Sequence, residues 1–297
     1  MFQQTKAVFY YCISPVHLGA GQALGLIDNP IQREVHTGWP LFAGSGIKGA
    51  ARHQLQANWG EKARETLNEI FGPESSGDTG YAGAFSFTDA QLVAFPVRSL
   101  KRGYVYATCP TALARAKRYL KLAGKDPEWE MSDLADGVAF LGNDDLKQGD
   151  EVILEALAFG ATALPQISEI GAWLAENALP SDQSYFREKL GKDLVVLSDT
   201  DFTYFAKNST LVEPHVRIDD VTGTADGGGL FYTENLPPES LLIGTVMASQ
   251  TRNGSDKSAE VVMQLVTDAL AKLKTPLQVG GNATTGRGLV QLSFVGG

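Results

Sequence analysis

Short strand-like runs and longer helical patterns alternate along the 297-residue chain. Residues 5–13 (TKAVFYYCI) are rich in β-branched and aromatic side chains, which predicts a first strand. Residues 46–58 predict a helix, and a second helix is predicted from Pro110, a residue type favoured in a first turn, to about Leu122. Apolar side chains recur at helical spacing over 257–273, at Val261, Val262, Leu265, Val266, Ala269, Leu270 and Leu273.

Further strands are predicted on both sides of the middle of the chain. They cover residues 82–89, 92–98, 104–108, 194–198, 240–249, 277–281 and 288–295. A helix is predicted near 165–178, a single strand over 151–159, and a short helix from an Asp199 cap to Lys207. The order strand, helix, strand pair, then strand, helix, strand is that of a ferredoxin-like or RRM-like α+β core.

A long β-hairpin is predicted in the second half of the chain. Residues 210–218 and 229–234 are strand-like arms, and the intervening IDDVTGTADGGG is rich in the glycine, threonine and aspartate of turns. The segment from residue 125 to about residue 192 is acidic, and it is expected to form an insertion into the core.

Composition favours a cytoplasmic protein with a substantial core. Hydrophobic residues make up 43% of the chain. No apolar run approaches the ~20 residues that span a bilayer, and the first residues, MFQQTKAVFYYC, lack the basic and apolar regions of a secretory signal. Cys12 and Cys109 are the only cysteines and form no CxxC pair, which argues against a zinc site or disulfide framework and for a reducing cytosol.

The net charge of −9 is unevenly distributed. Residues 126–155 hold ten acids and one base, so the rest of the chain balances to zero. Residues 90–125 carry eight bases and no acid. A basic face turned away from an acidic insertion can bind a polyanion despite the overall sign. For residues 111–125, an ordinary solvated helix surface is an equal alternative.

Candidate chemistry is concentrated in residues 14–52. A glycine-rich loop carries His17, a second loop carries Asp28, and GSGIKGAAR predicts a glycine-containing turn that leads into a helix. Lys48 and Arg52 are four residues apart and share a helix face. Free amides at a helix start attract phosphate, so this stretch predicts a phosphate-binding surface with one acid beside it.

A second glycine-rich loop, GGNATTGRG, covers residues 280–288. It does not fit the P-loop pattern GxxxxGK[ST], and it contains no GxGxxG. A nucleotide-binding fingerprint is therefore excluded.

Several blocks resemble one family. HLGAGQALGLIDNPIQRE followed by GWPLFAGSGIKGAAR resembles the N-terminal signature of the RAMP superfamily. FSFTDAQLVAFPVRSLKRGYVYATCP, VRIDDVTGTADGGGLFYTENLPPESLL and GGNATTGRG narrow the resemblance to the backbone subunits of type III-B CRISPR effector (Cmr) complexes, the family of the fourth Cmr subunit. The blocks occur in order over nearly the whole chain.

The resemblance implies an α+β fold with an RRM-like (ferredoxin-like) palm, a helical insertion and an extended β-hairpin thumb. One RAMP domain would cover 1–297, with the palm at about 1–124 and 194–297, the insertion at about 125–193 and the thumb at about 210–235.

The resemblance also implies function and partners. Copies would stack head to tail along guide RNA (crRNA) together with other Cmr subunits, each thumb would wedge between nucleotides, and complementary target RNA would be cut once per copy. Mg²⁺ or Mn²⁺ would be bound loosely, with RNA and water as ligands. No membrane partner is implied, and the location would be cytoplasmic.

Three residues are candidates for catalysis. Asp28 matches the cleavage aspartate of the family and is also the candidate metal ligand. His17 is a candidate for phosphate contact or proton transfer, and Glu234 for an approach from a neighbouring copy. The alternatives are a turn-capping Asp28, a structural His17 and a solvated loop Glu234.

Candidate RNA contacts are spread over the helix start, two loops and the thumb. They are Ser45, Gly46, Lys48, Arg52, Arg98, Ser99, Arg217, Val221, Phe231, Gly286, Arg287 and Gly288. Backbone amides in the late glycine loop would bind phosphate without reading sequence. An ordinary capped surface helix and a hairpin packed on its own domain are the alternatives.

Two other functions compete with guided cleavage. The chain could be a non-cleaving structural subunit that coats crRNA, or a stand-alone guide-processing ribonuclease that uses His17 or His215 as general acid–base. A metabolic enzyme with a phosphate loop has little support from the sequence.

Overall fold

Seven α-helices and fourteen strands make up the regular structure of the residues described by the computed structural model, which are 2–21, 25–74, 80–225 and 229–297. The strands are β1 (Gln4–Cys12), β2 (Leu41–Phe42), β3 (Phe85–Phe87), β4 (Ala90–Ser99), β5 (Gly103–Thr108), β6 (Val138–Leu141), β7 (Glu151–Leu154), β8 (Leu157–Ala163), β9 (Leu194–Leu197), β10 (Leu211–His215), β11 (Phe231–Asn235), β12 (Leu241–Ala248), β13 (Leu277–Gln278) and β14 (Leu289–Val295). The helices are α1 (Gly44–Trp59), α2 (Arg64–Phe71), α3 (Pro110–Leu122), α4 (Pro165–Ala178), α5 (Ser184–Lys192), α6 (Asp199–Asn208) and α7 (Ala259–Ala271).

Four long strands form the centre of the main sheet. They lie in the order β14-β1-β12-β4, and every neighbouring pair is antiparallel. Leu241 at the start of β12 pairs with both Tyr11 near the end of β1 and Ala94 in β4. The end of β1, the start of β12 and the second half of β4 therefore lie at one end of the sheet, where the chain enters the loop that carries His17.

Both faces of the central sheet are covered. Residues 7–12 of β1 are at most 2% exposed. Val8, Tyr10 and Cys12 pack into a core with residues of α1 and α7, whereas Ala7, Phe9 and Tyr11 pack into a second core with residues of α3 and α4. An RRM stacks RNA bases on aromatic side chains of an open sheet face. In this chain the aromatic side chains of β1 belong to the two cores instead.

The acidic segment after α3 differs from the predicted helical insertion. It contains α4 and α5, but also the three strands β6, β7 and β8, which continue the main sheet through β5-β9-β6-β8-β7. The single strand predicted over 151–159 is two strands joined at Glu155, which has a φ of 52°. The sequence obscures this turn because the two residues between the strands, Glu155 and Ala156, include none of the glycine or asparagine typical of tight turns.

The cap of α6 is one residue earlier than predicted. Ser198 Oγ accepts a hydrogen bond from the Asp201 amide at 3.0 Å, so Ser198 is the cap. Asp199 is the first helical residue, and its carboxylate accepts a hydrogen bond from the Thr111 amide at 3.1 Å.

The basic helix α3 does not turn away from the acidic segment. Asp126 lies 3.2 Å from Lys121 Nζ and 3.8 Å from Lys117 Nζ. Farther along the same segment, Asp145 pairs with Arg102 at 3.0 Å. The predicted separation of charge is therefore wrong, since part of the basic surface is neutralised within the chain.

Within the described residues, no helix combines the length and the apolar character that a bilayer crossing needs.

Candidate active site

His17 and Asp28 are both held on one strand, β11. His17 Nδ1 lies 2.7 Å from the Glu234 carbonyl oxygen, and Asp28 Oδ2 accepts a hydrogen bond from the Tyr232 amide at 2.7 Å. The two anchoring residues are two positions apart on β11, which is roughly 7 Å along a strand. The structure therefore brings together two of the three predicted catalytic side chains.

The main chain beside Asp28 joins this arrangement. The Asn29 amide donates to the Tyr232 carbonyl at 3.0 Å, and the Glu234 amide donates to the Asn29 carbonyl at 2.9 Å. The Asp28 loop thus runs along β11 as a short additional pairing, and the side chain of Asp28 itself is exposed.

The hydrogen bond of His17 defines the neutral form of its ring. A carbonyl oxygen can only accept, so Nδ1 carries the hydrogen and Nε2 carries the lone pair. A Cβ at Gly19 would lie 2.9 Å from Nε2, which shows how closely the loop passes the ring. Because Nδ1 is engaged with the Glu234 carbonyl, Nε2 is the atom through which neutral His17 accepts a hydrogen bond and charged His17 donates one.

Asp28 is a single carboxylate rather than part of a metal cluster. The described part of the chain contains no group of three or more His, Cys, Asp or Glu side chains able to hold a metal ion. Since Oδ2 already accepts the Tyr232 amide, Oδ1 is the oxygen better placed for a ligand. This donor set suits only an ion that keeps mostly water and RNA oxygens, as Mg²⁺ commonly does.

Glu234 is buried, in contrast to both sequence-based alternatives, which placed it at the surface. The residue is 3% exposed. The carboxylate accepts hydrogen bonds from the Ile31 amide at 3.0 Å, from Thr210 Oγ1 at 2.7 Å and from Arg33 Nη2. These donors occupy the carboxylate, so within one chain Glu234 holds the loop in place rather than facing a ligand.

The start of α1 lies closer to an acid than predicted. The helix begins at Gly44, two residues earlier than expected, and Gly44 donates its amide to Asp89 Oδ1 at 2.7 Å. Ser45 is exposed and is not the cap, because the cap position is Ala43. The sequence near Gly44 lacks acids, but folding brings Asp89 to this helix end, where it occupies an amide that a phosphate would otherwise bind.

Gly46 and the pair Lys48 and Arg52 lie on different flanks of α1. A Cβ at Gly46 would lie 3.5 Å from Leu18, beside the His17 loop. Arg52 instead donates to Asn68 Oδ1 at 2.8 Å, on α2. Lys48 is half-buried, and burial together with the nearby Arg52 charge lowers its pKa. Lys48 and Arg52 are therefore neighbours on α1, as predicted, but they lie apart from Gly46, and their contact with RNA stays a prediction.

The late glycine loop supports the His17 loop. The Gly281 amide donates to the His17 carbonyl at 2.9 Å. Gly286, Arg287 and Gly288 were predicted to offer their amides to phosphate, but these amides donate within the chain, to carbonyl oxygens at 3.0, 3.2 and 2.8 Å. Arg287 Nη2 donates to both carboxylate oxygens of Glu213 on β10, at 2.7 and 2.8 Å. The predicted amide contacts are therefore wrong for this conformation.

The hairpin of β10 and β11 projects apolar side chains into solvent. Val221 near its tip is 94% exposed, and Phe231, whose ring stacks on His215 at a centroid distance of 5.2 Å, is 40% exposed. The Arg217 amide donates to the Gly229 carbonyl at 3.1 Å, so the arms continue beyond the strands. The alternative of a hairpin packed on its own domain does not fit these exposures. Residues 226–228 of the predicted tip lie outside the described residues.

Arg98 and Ser99 differ in exposure. Arg98 is exposed near the β4–β5 turn, whereas Ser99 is 8% exposed and pairs with Gly103 and Leu154 in the sheet. Arg98 therefore remains available as an RNA contact, but the side chain of Ser99 does not.

The sequence pattern of the RAMP superfamily matches residues 9–291. The chain belongs to the RAMP superfamily. This RAMP protein is 34% identical to the "CRISPR system Cmr endoribonuclease Cmr4" of Pyrococcus furiosus over 291 residues, which cover 96% of this chain and 93% of the relative. It is 24% identical to the "CRISPR system CMR subunit Cmr4" of Saccharolobus solfataricus over 98% of this chain and 96% of that protein.

Solved structures share the fold of this RAMP protein. The oligomeric Cmr4 crystal structure from Pyrococcus furiosus aligns with a TM-score of 0.76 and 28% identity, over 99% of this chain and 98% of that one. A chain of the type III-B Cmr-beta complex bound to cognate target RNA aligns with a TM-score of 0.74 and 22% identity, over 99% and 98% of the two chains. These structures support the predicted α+β class.

Sequence reasoning missed two side chains of the RAMP protein's site, Arg33 and Thr210. Both contact Glu234, which is about 200 and 24 residues away in the chain respectively. Arg33 lies inside the block that carries the family resemblance, next to Glu34. No spacing rule connects an arginine with a glutamate that distant, so the sequence held no local signal for the pair.

Proposed function

We propose that this chain is a backbone subunit of a type III-B CRISPR effector complex and an endoribonuclease that cuts target RNA paired to the guide. The observation that carries the proposal is the joint anchoring of His17 and Asp28 on β11, two positions apart. The 34% identical relative named as a Cmr endoribonuclease supports it. Copies stack head to tail with other Cmr subunits along crRNA in the cytoplasm, with one cut per copy.

Under this proposal the central strands are an RRM-like palm and the hairpin is a thumb. The order β14-β1-β12-β4, with α1 and α7 as the connecting helices, supports the palm. Because helices cover both faces of the palm, RNA runs along the end of the sheet where the His17 and Asp28 loops lie. The exposed Val221 and Phe231 of the thumb insert between nucleotides, at a cost in base stacking that backbone contacts offset.

The RNA supplies its own nucleophile. The 2′-hydroxyl attacks the adjacent phosphorus, the 2′-oxygen–phosphorus bond forms, and the bond to the 5′-oxygen breaks. The products are a 2′,3′-cyclic phosphate and a 5′-hydroxyl, which takes up one proton as the attacking 2′-hydroxyl loses one. The protein's main contribution is to hold the nucleotide so that attack and departure are in line.

Asp28 and His17 act on the attacking 2′-hydroxyl and on the phosphate. The Asp28 carboxylate accepts the proton of the 2′-hydroxyl or orients that group, and neutral His17 offers the lone pair of Nε2 as a second acceptor. Charged His17 instead donates to a phosphate oxygen. A Mg²⁺ or Mn²⁺ ion held by Asp28 would neutralise charge on the phosphate.

The decisive experiment replaces Asp28 in a reconstituted complex with guide and complementary target RNA. Asp28→Asn keeps an oxygen that accepts the Tyr232 amide but removes the charge, and Asp28→Ala removes both. For both variants we expect normal target binding and cleavage slower by about 10²-fold or more. Asp145→Ala, which removes an exposed carboxylate elsewhere, is expected to cut as the wild type does.

The alternative of a non-cleaving coat has one supporting observation, since the bond between Asp28 and the Tyr232 amide also gives the carboxylate a structural role in holding its loop on β11. Normal cleavage by Asp28→Asn would establish that structural role and reject Asp28 as the catalytic group. A wild-type complex that binds target without cutting it would establish the coat. Cleavage of repeat RNA by the isolated chain in a chelator would instead support a stand-alone guide-processing ribonuclease.

A further inference from the structure

The ion pair between Arg33 and Glu234 lies where three parts of the chain meet. Glu234 is on β11, the second arm of the hairpin, and Arg33 follows the loop that carries Asp28. The third part is the end of α6, whose carbonyl oxygens at Ala206 and Lys207 accept hydrogen bonds from Arg33 at 3.0 and 3.4 Å.

Glu234 touches both candidate catalytic loops through different atoms. Its carbonyl oxygen faces His17 Nδ1 at 2.7 Å. Its amide donates to the Asn29 carbonyl at 2.9 Å, next to Asp28, and its Oε2 accepts the Ile31 amide at 3.0 Å. A shift of Glu234 therefore moves both side chains together.

Arg33 holds Glu234 in this position from the other side. The guanidinium donates to the carboxylate through Nη2 and to the Gly38 carbonyl through Nη1 at 2.7 Å. Its contacts with the end of α6 also suit the partial negative charge at a helix C-terminus. The Arg33 side chain is 22% exposed and the Glu234 side chain 4%, so removal of Arg33 leaves a buried carboxylate without its counter-charge.

We propose that Arg33 is a positioning residue for RNA cleavage, acting through Glu234 on His17 and Asp28. The inference rests on the proposed endoribonuclease function. Arg33 contributes the orientation of the two catalytic side chains, and Glu234 transmits it. The geometry gives Thr210 a smaller part in the same role, because its hydroxyl makes one of the three hydrogen bonds to the carboxylate.

The test measures single-turnover cleavage and target affinity separately in the reconstituted complex. Arg33→Met keeps the length of the side chain and removes its charge. A displacement on the order of 1 Å costs about 10²-fold in rate, so we expect cleavage slower by about 10- to 100-fold, with target affinity within twofold of the wild type. Arg33→Lys keeps the charge but not the forked geometry, so its rate should lie between the two.

Two further variants provide a weaker perturbation of Glu234 and a control for the loss of an arginine. Thr210→Val removes one hydrogen bond to Glu234 at nearly constant volume and should slow cleavage by about 3- to 10-fold. Arg64→Met removes an exposed arginine that pairs with Glu74 at 3.5 Å, and its cleavage rate should match that of the wild type. If Arg33→Met does not assemble, Thr210→Val alone decides.

Hydrogen exchange of the full-length chain without RNA supplies a readout independent of activity. In Arg33→Met we expect faster exchange in peptides covering 28–34 and 231–235, and unchanged exchange in the central strands β1 and β12. Unchanged exchange in both peptides would overturn the proposal, because Arg33 would then not hold the loops.

Kinetic outcomes can also overturn the proposed positioning role of Arg33. A rate for Arg33→Met within twofold of the wild type, or equal losses in cleavage and in target affinity, would exclude a positioning role. The failure of the underlying function looks different: Asp28→Asn would then cut normally in the same assay, while the effect of Arg33→Met on exchange would persist.

Discussion

The surroundings of Glu239 shift the pKa of its carboxyl into the neutral range. It lies half-buried at the turn before β12, with a φ of 70°, and burial raises the pKa of its carboxyl to about 7. Tyr106 Oη donates to Glu239 Oε2 at 3.3 Å, and the hydroxyls of Tyr106 and Tyr11 are 3.0 Å apart. The folded chain therefore keeps a proton here that an unfolded chain releases at lower pH.

This proton makes stability depend on pH in a defined direction. The contribution of Glu239 is complete below pH 4.5, the ordinary pKa, and is lost as pH rises through about 7. From pH 5 to pH 8 we expect the wild type to lose about 1–2 kcal/mol more unfolding free energy than Glu239→Gln, after allowance for partial exposure. Urea unfolding at both pH values measures this. The exposed Glu188→Gln should follow the wild type, and equal losses in Glu239→Gln and wild type would refute the assignment.

The late glycine loop shows how an element can support the site without touching a ligand. Gly288 has a φ of 83°, and a Cβ there would lie 2.1 Å from the Val279 carbonyl oxygen. Gly286 has a similar φ of 78°, but a Cβ there would meet nothing within 4 Å. Both positions require left-handed backbone, but only at Gly288 does the surrounding structure also leave no room for a Cβ atom.

Alanine at these two positions separates strain from steric clash. Gly286→Ala should cost about 1–2 kcal/mol of unfolding free energy, the usual penalty of a left-handed non-glycine residue. Gly288→Ala should cost at least about 2 kcal/mol more, because the backbone of Val279 must move, as in overpacked sites. Chemical denaturation of the two variants side by side tests this. Equal costs would mean that the loop adjusts freely and does not brace the His17 loop.

Elements with a strong local sequence signal could be predicted from the sequence, whereas tertiary contacts could not. α3 begins and ends at the predicted Pro110 and Leu122, and β1 is within one residue of its prediction, because proline placement and β-branched runs act locally. The short helices α2 and α5 were not predicted, since α2 is only eight residues long, which leaves its helical period little room to repeat, and α5 buries only Lys189 and Leu190.

The candidate site divides in the same way. Asp28 and His17 could be selected from the sequence through the family blocks. The burial of Glu234 by Arg33, and the Gly288 amide that donates to the Pro15 carbonyl, depend on residues far apart in sequence. Local patterns carry no information about such pairs, so these roles required the fold.

At the scale of the whole molecule, charge is arranged to be partly self-neutralising. Asp126 bridges Lys117 and Lys121 on α3, and its side chain is 60% exposed. Exposed pairs of this kind contribute little to stability, about 0–1 kcal/mol. Their larger effect is on the field that an approaching RNA meets, because each lysine paired with a carboxylate is less available to a phosphate.

Asp126→Asn should therefore strengthen non-specific RNA binding by the isolated chain. We expect tighter binding at low salt and a salt dependence steeper by up to about 1.4 in logarithmic slope, the value for two added phosphate contacts on a single strand. Binding titrations of a non-complementary RNA at several salt concentrations measure the slope. Asp268→Asn makes the same change of net charge on α7, beside Lys272. If it steepens the slope equally, the effect is one of overall charge and not of α3.

The two hydrogen bonds that fasten His17 and Asp28 to β11 end on main-chain atoms, the Glu234 oxygen and the Tyr232 nitrogen. Every amino acid has a main-chain carbonyl oxygen, and every one except proline has a main-chain amide hydrogen. Position 232 can thus exchange its side chain over evolutionary time while the anchor for Asp28 persists. Related proteins can keep the same arrangement of His17 and Asp28 while position 232 diverges, so a comparison of amino-acid identities alone would underestimate the structural importance of β11.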